Sequence, residues 1–162
     1  MAKKTVHHLD FDALVHVNEA VVALSSEAHS YSESDGKKMS ALVKEVEGRA
    51  DNAAPDEAIP DKAALLMFKV ASGQYFHAGN KRTSLVSGAA FLAKNGYSLK
   101  LNDLALVDVV DRAGMGAATL DDVYAAVRGL LTKGKADRKG WEGVVDSLIS
   151  QNQDFLTGLA AK

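Results

Sequence analysis

The stretch QYFHAGNKRTSLVSGAAFLAKNG, residues 74–96, constrains the fold of this chain more than any other. It reads as a tight loop that opens directly into a helix. Gly79 and Asn80 both tolerate left-handed backbone angles, which places the turn there. From Lys81 onward small and apolar residues dominate without a proline, and Asn95 and Gly96 supply a left-handed stop. The first N–H groups of such a helix have no intrahelical acceptor and point into the loop, where they favour an anion. Lys81 and Arg82 stand at the same end, and positive charge there opposes the helix dipole. A bound phosphate would offset that cost. Gly79, Asn80, Lys81 and Arg82 are therefore the expected phosphate-binding group. The competing reading leaves Lys81 and Arg82 as solvated surface charges, since a lone Gly-Asn turn is a weak signal.

The flanks of this stretch predict an all-α chain. Pro55 and Pro60 are the two prolines of the sequence and both fall in one segment. A chain this poor in proline and rich in Ala, Leu and Lys is helical by composition. A first helix should start at Asp10 or Asp12, either of which can cap it, with Leu14, Val17, Val21 and Leu24 turned inward. Residues 30–36 read as a polar loop, residues 38–47 as a short second helix, and residues 48–60 as an acidic loop. Pro60 and Asp61 then start a helix over 61–73 that is apolar nearly all round, and so central. It delivers Gln74 and the loop, in which Phe76 is expected as the buried anchor; burial of that ring is worth about 2–3 kcal/mol. The helix over 81–95 carries Ser84, Ser87, Gly88, Ala89, Ala90 and Ala93, small residues that let a neighbour's backbone come close. Residues 97–101 alternate as a short extended link. Asn102 or Asp103, and then Thr119, cap two further helices. Residues 133–139 form a basic linker, and residues 140–160 one additional amphipathic helix, expected to pack on the domain. The division expected is a tail over 1–9, including a solvated His7-His8 pair, a helical domain over 10–132, and an appended linker and helix over 133–162. His16 and His29 read as surface or half-buried histidines rather than ligands.

At 162 residues the chain is one domain by size, long enough to bury a core, and 47% apolar. A formal charge of −2 gives no reason to expect nucleic acid or an anionic membrane as partner. The absence of cysteine excludes disulfides and thiolate metal sites and is compatible with a cytoplasmic location. No run is long enough for a membrane span, and the first ten residues lack the apolar core of a signal peptide. No Walker, Rossmann, metal-ligand or Ser–His–Asp pattern is present.

Phe76, the run Gly79-Asn80-Lys81-Arg82-Thr83 and the apolar helix ending at Asn95-Gly96-Tyr97 resemble the signature of the Fic/Doc (filamentation / death-on-curing) family. The Doc branch writes this core His-x-Phe-x-Asp-(Gly/Ala)-Asn-Lys-Arg-Thr, and the likeness covers residues 10–132. The resemblance implies an all-helical, toxin-like enzyme that moves part of a nucleotide, or a phosphate, from ATP or another nucleoside triphosphate onto a protein hydroxyl. It also departs from the family at two positions. Gln74 stands where the family has its catalytic His, and Ala78 where it has the acid that holds magnesium. A neutral amide cannot take a proton from a hydroxyl as an imidazole can, and Ala offers no oxygen to a hard cation. The phosphate-holding residues are retained while both chemical groups are replaced. His77 is the nearby imidazole that could substitute as a base, or else an exposed loop residue. The pairs Glu47-Gly48 and Glu142-Gly143 lack the Ser or Thr that the family's self-inhibitory motif carries four positions earlier, Val43 and Arg138 standing there, so a separate antitoxin-like partner is expected. Three functions follow: a transferase with unusual chemistry, a degenerate domain that binds nucleotide or protein without turnover, and a helical interaction module.

Overall fold

The computed structural model describes residues 5–160 and is all-α, with eight helices and one two-stranded ribbon among those residues. The first helix, α1 (Phe11–Ala23), starts where Asp10 accepts a hydrogen bond from the Ala13 N–H at 2.8 Å. It buries Leu14, Val17 and Val21 as expected.

α2 (Glu33–Gly48) begins earlier than its apolar pattern indicates, because the Ser32 hydroxyl caps it by accepting from the Asp35 N–H. The expected loop over 30–36 is thus half helix. Gly36 lies in that helix beneath the Tyr31 ring, where a Cβ would sit 3.2 Å from the ring.

α3 (Pro55–Gly73) starts at Pro55, not at Pro60 and Asp61. Pro55 occupies the first turn, where its missing N–H costs nothing. Pro60 lies inside the helix and deprives the Asp56 carbonyl of its intrahelical donor. Arg128 donates to that carbonyl at 3.2 Å, which satisfies it from outside. Asp61 is therefore no cap; it pairs with Arg49 at 2.9 Å.

α3 and α4 (Asn80–Lys94) pack against each other at the centre of the molecule. Their crossing is close enough that a Cβ on Gly88 would lie 2.3 Å from Met67 Sδ. Ser84 donates to the Met67 carbonyl at 2.6 Å across the same contact. α1, α2, α5 (Leu104–Gly114) and α6 (Leu120–Leu130) surround this pair. Asp103 caps α5, and Thr119 and Asp122 form a full capping box on α6. The extended link after α4 is β1 (Tyr97–Ser98), antiparallel to β2 (Thr132–Lys133).

The expected C-terminal helix is two, α7 (Trp141–Gln151) and α8 (Gln153–Ala160), broken at Asn152, whose side-chain amide donates to the Leu148 carbonyl. α7 packs on α4 and α1, with Val144 and Val145 buried. Residues 5–9 are not a solvated tail. The Asn95 side chain exchanges two hydrogen bonds with the His7 backbone, Leu9 is buried, and the His8 ring tilts against Phe91. The expected residues 1–4 of that tail lie outside the described residues. Among the described residues no helix is long and apolar enough to cross a membrane.

Candidate functional site

α3 ends in a left-handed residue, Gln74 at φ 51°, and α4 starts from another, Gly79 at φ 78°. Two reversals this close leave a six-residue loop, residues 74–79, which Asn80 holds from inside. Its side-chain carbonyl accepts from the Phe76 N–H at 3.0 Å, and its amide donates to the Phe76 carbonyl at 2.8 Å. Both backbone groups of Phe76 are thereby tied to one buried side chain. The Phe76 ring is buried as expected, packed on Tyr31 and His29 with centroids 5.9 Å away. Gly79 is obligatory: its φ is positive, and a Cβ there would lie 2.8 Å from Val22.

A cleft of about 320 Å³ opens over this loop, between it and the end of α5. Gln74, His77, Ala78, Gly79, Asn80 and Lys81 line one side, and Asp111, Gly114 and Met115 the other. The Gly79 cap has no side-chain bond to α4, and the first intrahelical bond here is from the Thr83 N–H to the Gly79 carbonyl. The N–H groups of Asn80, Lys81 and Arg82 therefore have no backbone acceptor among the described residues. They stand at the positive end of the α4 dipole.

The two cations at this end separate. The Lys81 ammonium stays in the cleft and pairs with Asp111 at 2.9 Å. Arg82 turns the other way and is 4% exposed. Its guanidinium donates to the Val21 carbonyl at 2.9 Å, to the Ser25 hydroxyl at 3.2 Å and to the Glu27 carboxylate at 2.6 Å. The Ser25 hydroxyl also bonds Glu27, and these two hydrogen bonds, Ser25 first, hold the Glu27 carboxyl below its ordinary pKa. The expected group of four is thus divided: Gly79, Asn80 and Lys81 meet at the cleft, and the Arg82 side chain braces α4 to the end of α1.

The Gln74 side chain is spent at both ends. Its amide donates to the Ala71 carbonyl at 2.7 Å, and its oxygen accepts weakly from Asn80 at 3.4 Å. It has no basic atom to offer a hydroxyl proton. His77 is exposed at the rim of the cleft, fixed through its backbone N–H to the Ser30 carbonyl at 2.8 Å. Among the described residues Asp111 is the carboxylate lining the cleft, and Lys81 engages it. No group of three or more His, Cys, Asp and Glu among them is placed to hold a metal ion. Ala78 supplies no oxygen ligand to a metal ion at the loop, and the Asp111 carboxylate across the cleft is engaged by Lys81.

Sequence reasoning missed Asn18. It is fully buried, and its amide donates to the Ala78 carbonyl at 2.8 Å and to the Thr83 hydroxyl at 3.0 Å. Its carbonyl meets His29 Nδ1 at 2.7 Å. One polar side chain of α1 therefore ties the loop, the start of α4 and the residues before α2. Its signal was available: a lone Asn interrupts the apolar stripe of Leu14, Val17 and Val21, and a buried amide requires partners. His16 and His29 are half-buried, as expected, with His16 bonded to Asp146 at 2.9 Å.

No curated protein matches the chain significantly. A family model, described as Fic/DOC family, matches residues 8–92. That span runs from the start of α1 through nearly all of α4 and contains every loop-side residue of the cleft. The chain belongs to the Fic/DOC family.

Proposed function

We propose that this protein is a Fic/Doc domain that binds the phosphates of a nucleoside triphosphate, ATP in the first instance, at the start of α4, and that its transfer of a nucleotide or phosphate to a protein hydroxyl is weak or lost. The observation that carries this reading is the state of position 74. The family's proton acceptor is replaced by an amide whose two ends are bonded to Ala71 and Asn80. Of the expected binding group, Gly79, Asn80 and Lys81 line the cleft, while the Arg82 side chain does not. The reading is supported by the unbonded N–H groups at the start of α4 and by Lys81, which lines the cleft; backbone donors at a helix N-terminus suit phosphate oxygens. An incoming phosphate would share Lys81 with Asp111, and α4's positive end would act on it directly. Magnesium is possible beside the nucleotide, with its usual acidic ligand absent at Ala78. A separate, antitoxin-like protein partner remains the expected form of restraint.

The test is calorimetric titration with ATP. Lys81→Ala should weaken binding on the order of ten-fold, as loss of one charge-assisted contact does. Asp111→Asn, which releases Lys81, should strengthen it. Arg82→Lys should leave affinity within about two-fold, since its side chain does not face the cleft. A wild type that does not bind ATP, or affinities that ignore Lys81, would instead favour a helical protein-interaction module.

A further inference from the structure

Residues 5–9 lie against the C-terminal end of α4, the opposite end of that helix from the cleft. Three holds keep them there. The Asn95 side chain accepts from the His7 N–H at 2.8 Å and donates to the His7 carbonyl at 2.9 Å. Leu9 is buried, and Val6 packs against the core. Between these anchors the His8 ring lies tilted against Phe91, with centroids 6.3 Å apart.

The His8 ring suits this place in one protonation state only. Its Nε2 is buried and has no hydrogen-bond partner among the described residues. A neutral imidazole tolerates that, because its one proton can sit on Nδ1 and leave Nε2 bare. An imidazolium carries N–H on both nitrogens, so it would bury a charged donor without an acceptor. A fixed positive charge also acts on the ring. Lys62 of α3 is 1% exposed, and its ammonium is tied to the Val46 and Glu47 carbonyls at 3.0 and 2.6 Å. Falling pH can only charge that amine more fully. Burial first, and the Lys62 charge second, lower the His8 pKa from its ordinary 6.5. The carboxylates of Glu47, at the end of α2, and Asp51, in the α2–α3 connection, act the other way and less strongly, and His7 of the same segment adds to the lowering. α4 contributes the uncharged Phe91 and Asn95.

We propose that residues 5–9 form an acid-released strap: the neutral His8 ring fastens them over the end of α4, and protonation of that ring unfastens them while the helical core stays folded. Linkage fixes the sign. A released ring titrates near 6.5 and a docked ring below it. Docking is therefore full above 6.5 and weakens as pH falls towards the lowered docked value. Over that interval the ratio of docked to released strap drops by up to about ten-fold per pH unit. None of the groups that act on the ring lines the cleft, so the strap is independent of the nucleotide reading.

The test follows the full chain by NMR from about pH 7.5 to about pH 5, the range in which histidine changes charge. The His7 amide and the Asn95 side-chain amide report docking, and the Asn80 side-chain amide, bonded to Phe76, reports the core. In wild type the docked His7 and Asn95 signals should be lost below 6.5 while the Asn80 signal persists. His8→Phe keeps a ring against Phe91 that cannot be charged, and should stay docked throughout. Lys62→Met should move the midpoint up towards 6.5. Asp51→Asn, which removes an exposed carboxylate that favours the charged ring, should move it down, and serves if Lys62→Met does not fold. Docked signals that persist to the acid end in wild type overturn the strap, the case in which the ring titrates and swings out alone included. Release at the same pH in His8→Phe, loss of the Asn80 signal together with docking, or a midpoint that Asp51→Asn leaves in place overturns it as well.

Discussion

Two side chains of the motif, Asn80 and Arg82, decide how it is held, one by local bonds and one by distant ones. Asn80 closes the loop on Phe76 with two hydrogen bonds. Asn80→Ala leaves two buried backbone groups unsatisfied and should cost about 2–4 kcal/mol in urea unfolding, at roughly 1–3 for each group with partial relaxation. Arg82 is buried beneath three acceptors, of which Glu27 is partly exposed. Arg82→Met should destabilise by about 1–3 kcal/mol, less than the roughly 3–5 seen when a fully buried pair is broken, because Glu27 can turn to solvent. The Glu27 bond also sets a pH dependence. Its carboxyl is held below the usual 4.5, first by Ser25 and then by Arg82, so it contributes stability above that value and loses it as pH falls through the lowered folded value. Urea midpoints of wild type and Glu27→Gln should therefore differ at neutral pH and converge as the solution is acidified below pH 4.5. Arg82 also marks the limit of what the motif alone could say. Its partners lie 55 to 61 residues away, and nothing in the local sequence separates its inward course from that of Lys81 into the cleft.

At the scale of elements, the central crossing of α3 and α4 depends on one missing side chain. Gly88→Ala would place a methyl 2.3 Å from Met67 Sδ, and overpacking of that kind costs about 1–3 kcal/mol. Adding Met67→Ala should return part of the loss, so the double change is less harmful than the sum of the singles. Thermal and urea unfolding of the three variants would show this, and strictly additive losses would count against the crossing described. Most elements were legible for local reasons. Asp10, Asp103 and Thr119 cap their helices within a turn, and the small residues of α4 announced the close crossing. The starts of α2 and α3 were not. Ser32 lies before a polar stretch with no apolar periodicity to mark it as helix. Pro60 looks like a helix start until Arg128, a side chain from α6, is seen to cover the carbonyl that the proline releases. The break between α7 and α8 carries no Pro or Gly at Asn152 to announce it.

The whole molecule is a family fold whose central loop is held by side chains from several elements. Asn18, Asn80 and Arg82 brace the loop and the start of α4 from three sides. On the proposed reading, Gln74 in the place of a general base forgoes help typically worth ~10²–10⁴ in rate. The frame that would support the base is still present. Position 74 lies at φ 51°, a left-handed conformation that histidine enters more readily than most residues, so restoring the family residue imposes no new backbone demand. The direct measurement is transfer of label from ATP, in either its α- or γ-phosphate position, to protein in a lysate. Three proteins are compared: wild type, His77→Ala, and Gln74→His combined with Ala78→Asp. The loop geometry predicts that wild type and His77→Ala are equally silent and that the double variant gains transfer. An active wild type contradicts it: loss of that activity in His77→Ala would make His77 a relocated base, and its persistence would place the base outside this loop.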